Sequence, residues 1–153
     1  MNTHSIFTII VSVFFLAACS SGEQKEGSDT SSSSSKSGLT QFQEKHGIGP
    51  YTEKIELGEI DPALVADGDK IFEQNCSACH KIDERYVGPE LGNVLNRRSP
   101  TFVMNMILNP DAMVKKHPEV RAMLAQYYTP MPNQNLSQDQ ARAVLEYLRS
   151  ETK

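Results

Sequence analysis

The sequence predicts a small all-α domain, because three of its apolar stretches each follow a residue that caps helices. The caps are Asp61, Ser99 and Ser137, whose side-chain oxygens accept hydrogen bonds from the free amides of a first helical turn. The length of 153 residues suits one ordinary domain. Because the serine-rich start of the chain is not expected to fold, roughly 95 to 110 residues remain for the folded unit. A core of that size is thin, and a cofactor at its centre would enlarge it.

The charge pattern argues against nucleic acid as a partner. The net charge is −4, and residues of both signs are spread along the chain, whereas nucleic-acid-binding domains concentrate Lys and Arg on one face. The pattern is that of an ordinary solvated surface, so it identifies no partner by itself.

The first residues form a predicted export signal. The run from Ile6 to Ala18 is apolar apart from Thr8 and Ser12, and its length of about 13 residues is shorter than the roughly 20 that span a membrane. It leads into Leu-Ala-Ala-Cys at Cys19, which resembles the lipobox of bacterial lipoproteins. The sequence therefore predicts a signal peptide over residues 1–18 and a lipid on Cys19. A cleaved signal without lipid and an uncleaved anchor are the alternatives.

Residues 19–50 follow as a predicted flexible linker. From Ser20 to Gly38 the chain is rich in Ser, Gly and charged residues and has no large apolar side chain. Such a stretch cannot bury enough surface to offset its conformational entropy. We therefore place the folded domain at residues 51–153.

The first predicted helix of the domain runs from Pro62 to Asn75. Asp61 caps it, and a proline suits the first helical position because the amide there needs no partner. Gly68 and Phe72 lie four residues apart, on one face of the helix. Its apolar positions are Ala63, Leu64, Ile71 and Phe72.

The helix leads into the motif Cys-x-x-Cys-His at Cys76, Cys79 and His80, which is the attachment motif for c-type haem. Two thiols one helical turn apart can add to the two vinyl groups of one porphyrin. The adjacent histidine can then ligate the iron from one side. The sequence therefore predicts one haem c, bound through both cysteines and ligated by His80.

Two other uses of paired cysteines fit the sequence less well. A zinc site needs four ligands, but no second cysteine pair exists, and His4, His46 and His117 have no metal-ligand spacing. A redox dithiol of the thioredoxin type needs a βαβ setting, which the helical pattern does not provide. With Cys19 acylated, no thiol remains for a disulfide.

Two further helices complete the predicted order of elements. Ser99 and Pro100 open one that ends before Pro110. Ser137 and Gln140 form a capping-box pattern that opens the last helix. The apolar stripe of that last helix, with Tyr147 beside it, consists of Ala141, Val144, Leu145 and Leu148.

These motifs, in this order from about Ile60 to Ser150, resemble those of class I cytochromes c. In that family the first and last helices cross where a glycine lies beside an aromatic residue. The positions that match are Gly68, Phe72, Val144 and Tyr147. The resemblance implies the cytochrome c fold, a small helical domain wrapped around one haem.

The segment after His80 carries a second point of resemblance. Gly88-Pro89-Glu90-Leu91 is similar to the Gly-Pro-x-Leu of the family, in which the proline carbonyl accepts the proton of the outer nitrogen of the histidine. The resemblance assigns that role to Pro89. It also places Arg97 near a haem propionate, with a solvated surface arginine as the alternative.

The second iron ligand is expected among the six methionines. Four of them fall in helical or helix-flanking sequence, where core packing is the usual role: Met104, Met106, Met113 and Met123. Met131 lies between two prolines, which force extended backbone outside any helix. The family's distal methionine occupies this kind of loop, so the resemblance implies Met131 as the ligand, with Met123 as the alternative.

The resemblance implies an electron carrier and not an enzyme, because iron held by His80 and Met131 has no open position for a substrate. We expect a monomer, lipid-anchored on the periplasmic face of a bacterial membrane. It would shuttle electrons from a membrane-bound donor, such as a quinol-oxidising complex, to an acceptor oxidase or reductase. A haem peroxidase or a gas-sensing module is the alternative if Met131 is labile.

A finer similarity suggests one acceptor. The stretches Glu84–Pro89 and Met104–Pro110 are similar to those of small lipoprotein cytochromes that accompany nitrous-oxide reductase systems in some bacteria. This similarity implies a copper reductase as the acceptor.

Overall fold

The structure, a computed structural model, describes residues 37–153. The predicted signal peptide and Cys19 lie outside the described residues. The described part contains seven α-helices and no strand, so the predicted all-α class is confirmed. The helices are α1 (Gln41–His46), α2 (Pro62–Asn75), α3 (Val94–Arg97), α4 (Pro100–Leu108), α5 (Pro110–Lys116), α6 (Pro118–Tyr127) and α7 (Gln138–Ser150).

The predicted helix starts are confirmed by their hydrogen bonds. The carboxylate of Asp61 accepts from the amide of Ala63 at 2.8 Å. At the start of α7, Ser137 Oγ accepts from the amide of Gln140 at 3.2 Å, and the Gln140 side chain accepts from the amide of Ser137 at 2.9 Å. These bonds satisfy amides that have no partner inside the helix.

Helices α2 and α7 cross at Gly68, as the family resemblance implies. A β-carbon on Gly68 would lie 2.0 Å from the carbonyl oxygen of Ala143, so only glycine permits this approach of the two backbones. Beside the crossing, the rings of Phe72 and Tyr147 lie 5.2 Å apart between centroids. The crossing therefore positions α2, whose end at Asn75 lies directly before the Cys-x-x-Cys-His motif.

Three short helices, α4 to α6, follow one another and pack in sequence, α4 on α5 and α5 on α6. Each begins with a proline, which fits the first helical position and prevents the preceding helix from continuing. Helix α4 packs in the core against α7. Met104 on α4 and Met113 on α5 are fully buried, which confirms the prediction of core packing for these two methionines.

The predicted boundary of the domain at residue 51 is wrong, because the folded part begins earlier. Leu39 and His46 are buried, and Thr40 caps α1 with a capping box. His46 Nδ1 lies 2.7 Å from Ser99 Oγ, and His117 Nε2 donates to the carbonyl of Glu44 at 3.0 Å. The two histidines therefore attach α1 to the rest of the domain.

Asn105 on α4 holds the chain that follows α1. This fully buried side chain donates to the carbonyls of His46 and Tyr51 at 3.0 and 2.9 Å and accepts from the Tyr51 amide at 3.0 Å. A β-carbon on Gly49 would lie 2.3 Å from Asn105 Oδ1. The amide of Asn105 thus fixes the backbone of this segment beside the apolar contacts that Ile48 and Tyr51 make with the core, and no periodic pattern in the sequence indicates it.

None of the helices between residues 37 and 153 has the length and apolar character that crossing a membrane requires.

Candidate cofactor cavity

A cavity of about 470 Å³ lies between α2, α4, α6 and α7, within the usual size range of cofactor sites. The predicted site residues of the described part all line it: Cys76, Cys79, His80, Pro89, Arg97 and Met131. Much of the remaining wall is apolar and includes Phe72, Phe102, Val103, Ile107, Val144 and Leu148. Such a wall excludes water from whatever the cavity holds.

The end of α2 positions the two thiols. The amide of Cys76 still donates to the carbonyl of Phe72 at 2.8 Å, and the chain then turns so that the amides of Cys79 and His80 donate to the Cys76 carbonyl at 3.0 and 2.8 Å. This single turn places both thiols and the imidazole along one wall. The spacing of the motif is therefore realised as one compact turn.

The Cys76 thiol lacks the lowered pKa of a redox-active cysteine. Burial, with the neighbouring Cys79 as a smaller cause, raises the pKa of Cys76 to about 11, whereas redox-active cysteines have a lowered pKa. Nor do three His, Cys, Asp or Glu side chains come together as zinc ligands would anywhere between residues 37 and 153. The pKa of the Cys76 thiol therefore argues against a redox-active pair.

His80 has the tautomer of a metal ligand. Its Nδ1 lies 2.9 Å from the carbonyl oxygen of Pro89, and because a carbonyl can only accept, Nδ1 carries the proton and Nε2 keeps a free lone pair. Burial lowers the pKa of His80, and the bond to Pro89 opposes this in part. A lowered pKa favours the neutral imidazole, which is the form that ligates a metal.

The backbone on the far side of the imidazole holds the ring in place. A β-carbon on Gly88 would lie 2.5 Å from Cε1 of His80, and the amide of Gly88 donates to the carbonyl of Cys79 at 2.8 Å. Two more amides, of Leu91 and Gly92, donate to carbonyls of residues 81 and 82 at 2.9 and 2.8 Å. We call residues 79–92 the His80 segment.

Met131 faces this wall from a different kind of segment. Residues 129–136, here called the Met131 loop, join α6 to α7, and the residue before the loop, Tyr128, has φ of 57°. Met123 and Met106 also line the cavity, whereas Met104 and Met113 do not. The sulfur of Met113 is already engaged, since it accepts from the Ile48 amide at 3.0 Å.

Three arginines line the cavity, of which the sequence singled out only Arg97. Its guanidinium donates to the carbonyls of Glu90 and Gly92 at 3.0 and 3.4 Å, so part of its donor capacity is used within the chain. Arg98 stacks on Phe102, with 4.8 Å from its guanidinium carbon to the ring centroid. Arg85, the third, reaches α6 from the His80 segment. Contacts between such distant segments leave no trace in local sequence.

A family model and a solved structure are both similar to this chain. Residues 65–152 match the family model described as cytochrome c. The solved structure of a cytochrome c from Rhodothermus marinus has a TM-score of 0.67 and 43% sequence identity, covering 71% of this chain and 94% of that one.

Two curated relatives carry similar descriptions. A cytochrome c-553-like protein of Synechocystis is 33% identical over 73 residues, which cover 42% of this chain and 70% of that protein. The cytochrome c-type cyt cy of Rhodobacter capsulatus is 42% identical over 48 residues, 28% of this chain and 24% of that one. The match to the second relative therefore spans about a quarter of its length.

Proposed function

The chain belongs to the cytochrome c family, and we propose that it is a membrane-tethered single-haem electron shuttle whose iron is ligated by His80 and Met131. Membership in this family establishes the all-α cytochrome c fold, electron transfer as the function and a covalently bound haem c. The ligand pair, the tether and the partners are the proposal.

One observation carries the ligand assignment: two cysteines, His80 and the loop methionine Met131 line the same cavity. When bound, the haem supplies an iron that alternates between the ferrous and ferric states. Cys76 and Cys79 would hold it through thioethers, and His80 would ligate it through Nε2. The Pro89 carbonyl keeps that nitrogen unprotonated by binding the other one.

Met131 would complete the coordination. A thioether is a soft ligand that favours the ferrous state and raises the potential. If His80 and Met131 both held the iron, no open position would be left for a substrate, while an electron could still pass at the edge of the cavity with little movement of these two side chains. This is the physical reason to assign a carrier function and not an enzymatic one.

The test of the ligand pair compares two methionines that both line the cavity. We expect Met131→Ala to keep the haem attached, to abolish the methionine-to-iron charge-transfer band of the oxidised protein and to lower the potential. Met123→Ala is the matched control and should keep the band. If Met123→Ala abolishes the band and Met131→Ala retains it, the ligand assignment is wrong.

The tether is proposed from the sequence ending in Cys19. Several acyl chains on one residue give stable membrane attachment, and a tether raises the effective concentration of the domain near a membrane-bound donor. We expect Cys19→Ser to release the protein from the membrane with its spectrum unchanged. Retention of this variant in the membrane fraction after a carbonate wash would exclude the lipid anchor.

The acceptor is proposed from the similarity of Glu84–Pro89 and Met104–Pro110 to cytochromes of nitrous-oxide reductase systems. The measurement is the rate at which a purified nitrous-oxide reductase oxidises the reduced protein, compared with the rate for terminal oxidases. A faster rate with the oxidases would contradict this choice of acceptor and leave the electron-transfer function intact.

A further inference from the structure

One side chain joins the His80 segment to the helix that leads into the Met131 loop. Arg85 Nη2 donates to the carbonyl of Gln126 at 3.0 Å, and its guanidinium carbon lies 4.4 Å from the ring centroid of Tyr127. The three residues all line the cavity. The contact thus connects the two sides of the cavity at one place.

The position of this contact on α6 suits a guanidinium. Gln126 and Tyr127 are the last residues of the helix, where carbonyl oxygens have no partner within the helix and the helix dipole is negative. The hydrogen bond to Gln126 satisfies one such oxygen, and stacking on Tyr127 fixes the plane of the guanidinium. Arg85 therefore holds the end of α6 through two different interactions.

The chain beyond that point has few other restraints. Tyr128 takes up the left-handed conformation directly after α6. Within the described part of the chain, the hydrogen bonds of the Met131 loop are local: the Gln134 side chain donates to the Pro132 carbonyl at 3.2 Å, and the Asn135 amide to the Asn133 side chain at 2.8 Å. The start of the loop is therefore positioned by the end of α6.

We propose that Arg85 is a positioning residue for Met131, which holds the end of α6 against the His80 segment and so limits how often the Met131 loop moves out of the cavity. The inference rests on the proposed ligation of iron by Met131. It predicts that loss of Arg85 speeds the departure of Met131 and admits small exogenous ligands. The fold and the His80 side should be unaffected.

The test measures how fast imidazole replaces Met131 in the oxidised holoprotein. In this exchange the bond from iron to the methionine sulfur breaks and a bond from iron to the imidazole nitrogen forms. At saturating imidazole, the observed rate becomes the rate at which Met131 leaves. An exposed cation–aromatic contact with one hydrogen bond supports an increase of about two- to tenfold for Arg85→Gln.

Three further variants separate the parts of the contact. Tyr127→Leu removes the ring and should also raise the rate, and Arg85→Lys keeps the charge and should fall between the wild type and Arg85→Gln. Lys81→Gln is the matched control. Lys81 is another cation of the His80 segment, 5.4 Å from the ring of Tyr86, and it donates to the Ser77 carbonyl instead of reaching α6. Its loss should leave the rate unchanged.

The proposal is overturned if Arg85→Gln exchanges at the wild-type rate, or if Lys81→Gln accelerates exchange as much. It is also overturned if the increase in exchange rate of Arg85→Gln, converted to a free energy, equals its loss of global unfolding free energy. The arginine would then act on the stability of the whole domain alone. The Met131→Ala variant distinguishes failure of the Arg85 proposal from failure of the proposed iron ligation by Met131. If that variant loses the charge-transfer band and Arg85→Gln exchanges normally, only the role of Arg85 is wrong.

Discussion

The His80 segment and the Met131 loop line the same cavity, but the backbone of the first is hydrogen-bonded to itself and that of the second is not. In the His80 segment, backbone amides at Gly88, Leu91 and Gly92 donate to carbonyls of the same segment, and Pro89 fixes the imidazole. In the described part of the chain, the Met131 loop has no such backbone ladder, and each of its two hydrogen bonds involves a side chain. Leu136 packs against the core and so helps to attach the loop to the domain.

The difference separates two requirements of an electron carrier. The ligand beside the attachment motif must keep one orientation, because the attached group cannot adjust to it. The opposite ligand needs only to stay bound on average, and a loop with local hydrogen bonds belongs to the part of a protein that opens at low free-energy cost. We therefore expect that substitutions in the His80 segment disturb the whole site, whereas substitutions in the Met131 loop change only the exchange of Met131 for other ligands.

Gly88→Ala should have the largest effect. The added β-carbon would lie 2.5 Å from Cε1 and 2.9 Å from Nδ1 of His80, and the hydrogen-bonded backbone cannot yield. We expect a loss of several kcal/mol in stability or a failure to accumulate holoprotein, since overpacking alone costs about 1–3 kcal/mol and the ring also loses its orientation. Holoprotein yield and the unfolding free energy measure it. A variant with wild-type yield and spectrum would show that the His80 segment is less rigid than its hydrogen bonds indicate.

Hydrogen exchange compares the two segments directly in the intact protein. The amides of Gly88 and Gly92 have backbone acceptors at 2.8 Å, whereas the amides of Met131 and Asn133 have none in the described part of the chain. We expect the loop amides to exchange about a hundredfold faster or more, because they need only a local opening. Equal protection in both segments would contradict the comparison.

Proline substitutions test what orders the Met131 loop in the absence of hydrogen bonds to the domain. Pro130 and Pro132 restrict the unfolded chain, so replacing either by Ala should cost about 0.4–1 kcal/mol. Because the loop opens on its own, the charge-transfer band should disappear at a lower temperature than the helical signal, and either loop substitution should widen the gap between the two temperatures. Pro89→Ala is the control: its carbonyl still binds His80 and the loop is unchanged, so the gap should stay as in the wild type. An equal widening of the gap in the control would remove the contrast.

The parts of the molecule that the sequence predicts are those with local signals. Asp61, Ser99 and Ser137 cap helices through neighbours two or three residues away, and the attachment motif is contiguous. The bond from His80 to Pro89 also spans few residues and was implied by family resemblance. Local chemistry of this kind can be derived from a chain without its fold.

The parts that the sequence missed depend on contacts between distant residues. Helix α1 has six residues, too few for an apolar stripe, and His46 meets Ser99 across 53 positions of the chain. Composition alone therefore placed it in the linker. Arg85 likewise meets Gln126 across 41 positions. No short-range pattern encodes either pair, because what brings the partners together is the packing of the other helices.

The smallest predicted effect is the pH dependence of the unfolding free energy through His46. It shows whether loss of the charge-transfer band at low pH comes from the Met131 loop or from the whole domain. Burial, followed by Lys45 and Lys54, lowers the pKa of His46 from 6.5. The unfolded chain therefore binds this proton more readily, and the stability due to neutral His46 is complete above about pH 6.5 and decreases as the pH falls below it.

His46→Gln should remove this part of the pH dependence, because glutamine does not titrate. The measurement is the unfolding free energy of both proteins between about pH 7.5 and 5.5, with the exchange of Met131 by imidazole followed at the same pH values. We expect the wild type to lose more stability than the variant, with the same Met131 exchange rate in both, because His46 contacts Ser99 and not the loop. If the two proteins lose stability equally, another group titrates. If exchange accelerates in the wild type alone, the docking of α1 also restrains the loop, and the two sides of the cavity are less independent than their hydrogen bonds indicate.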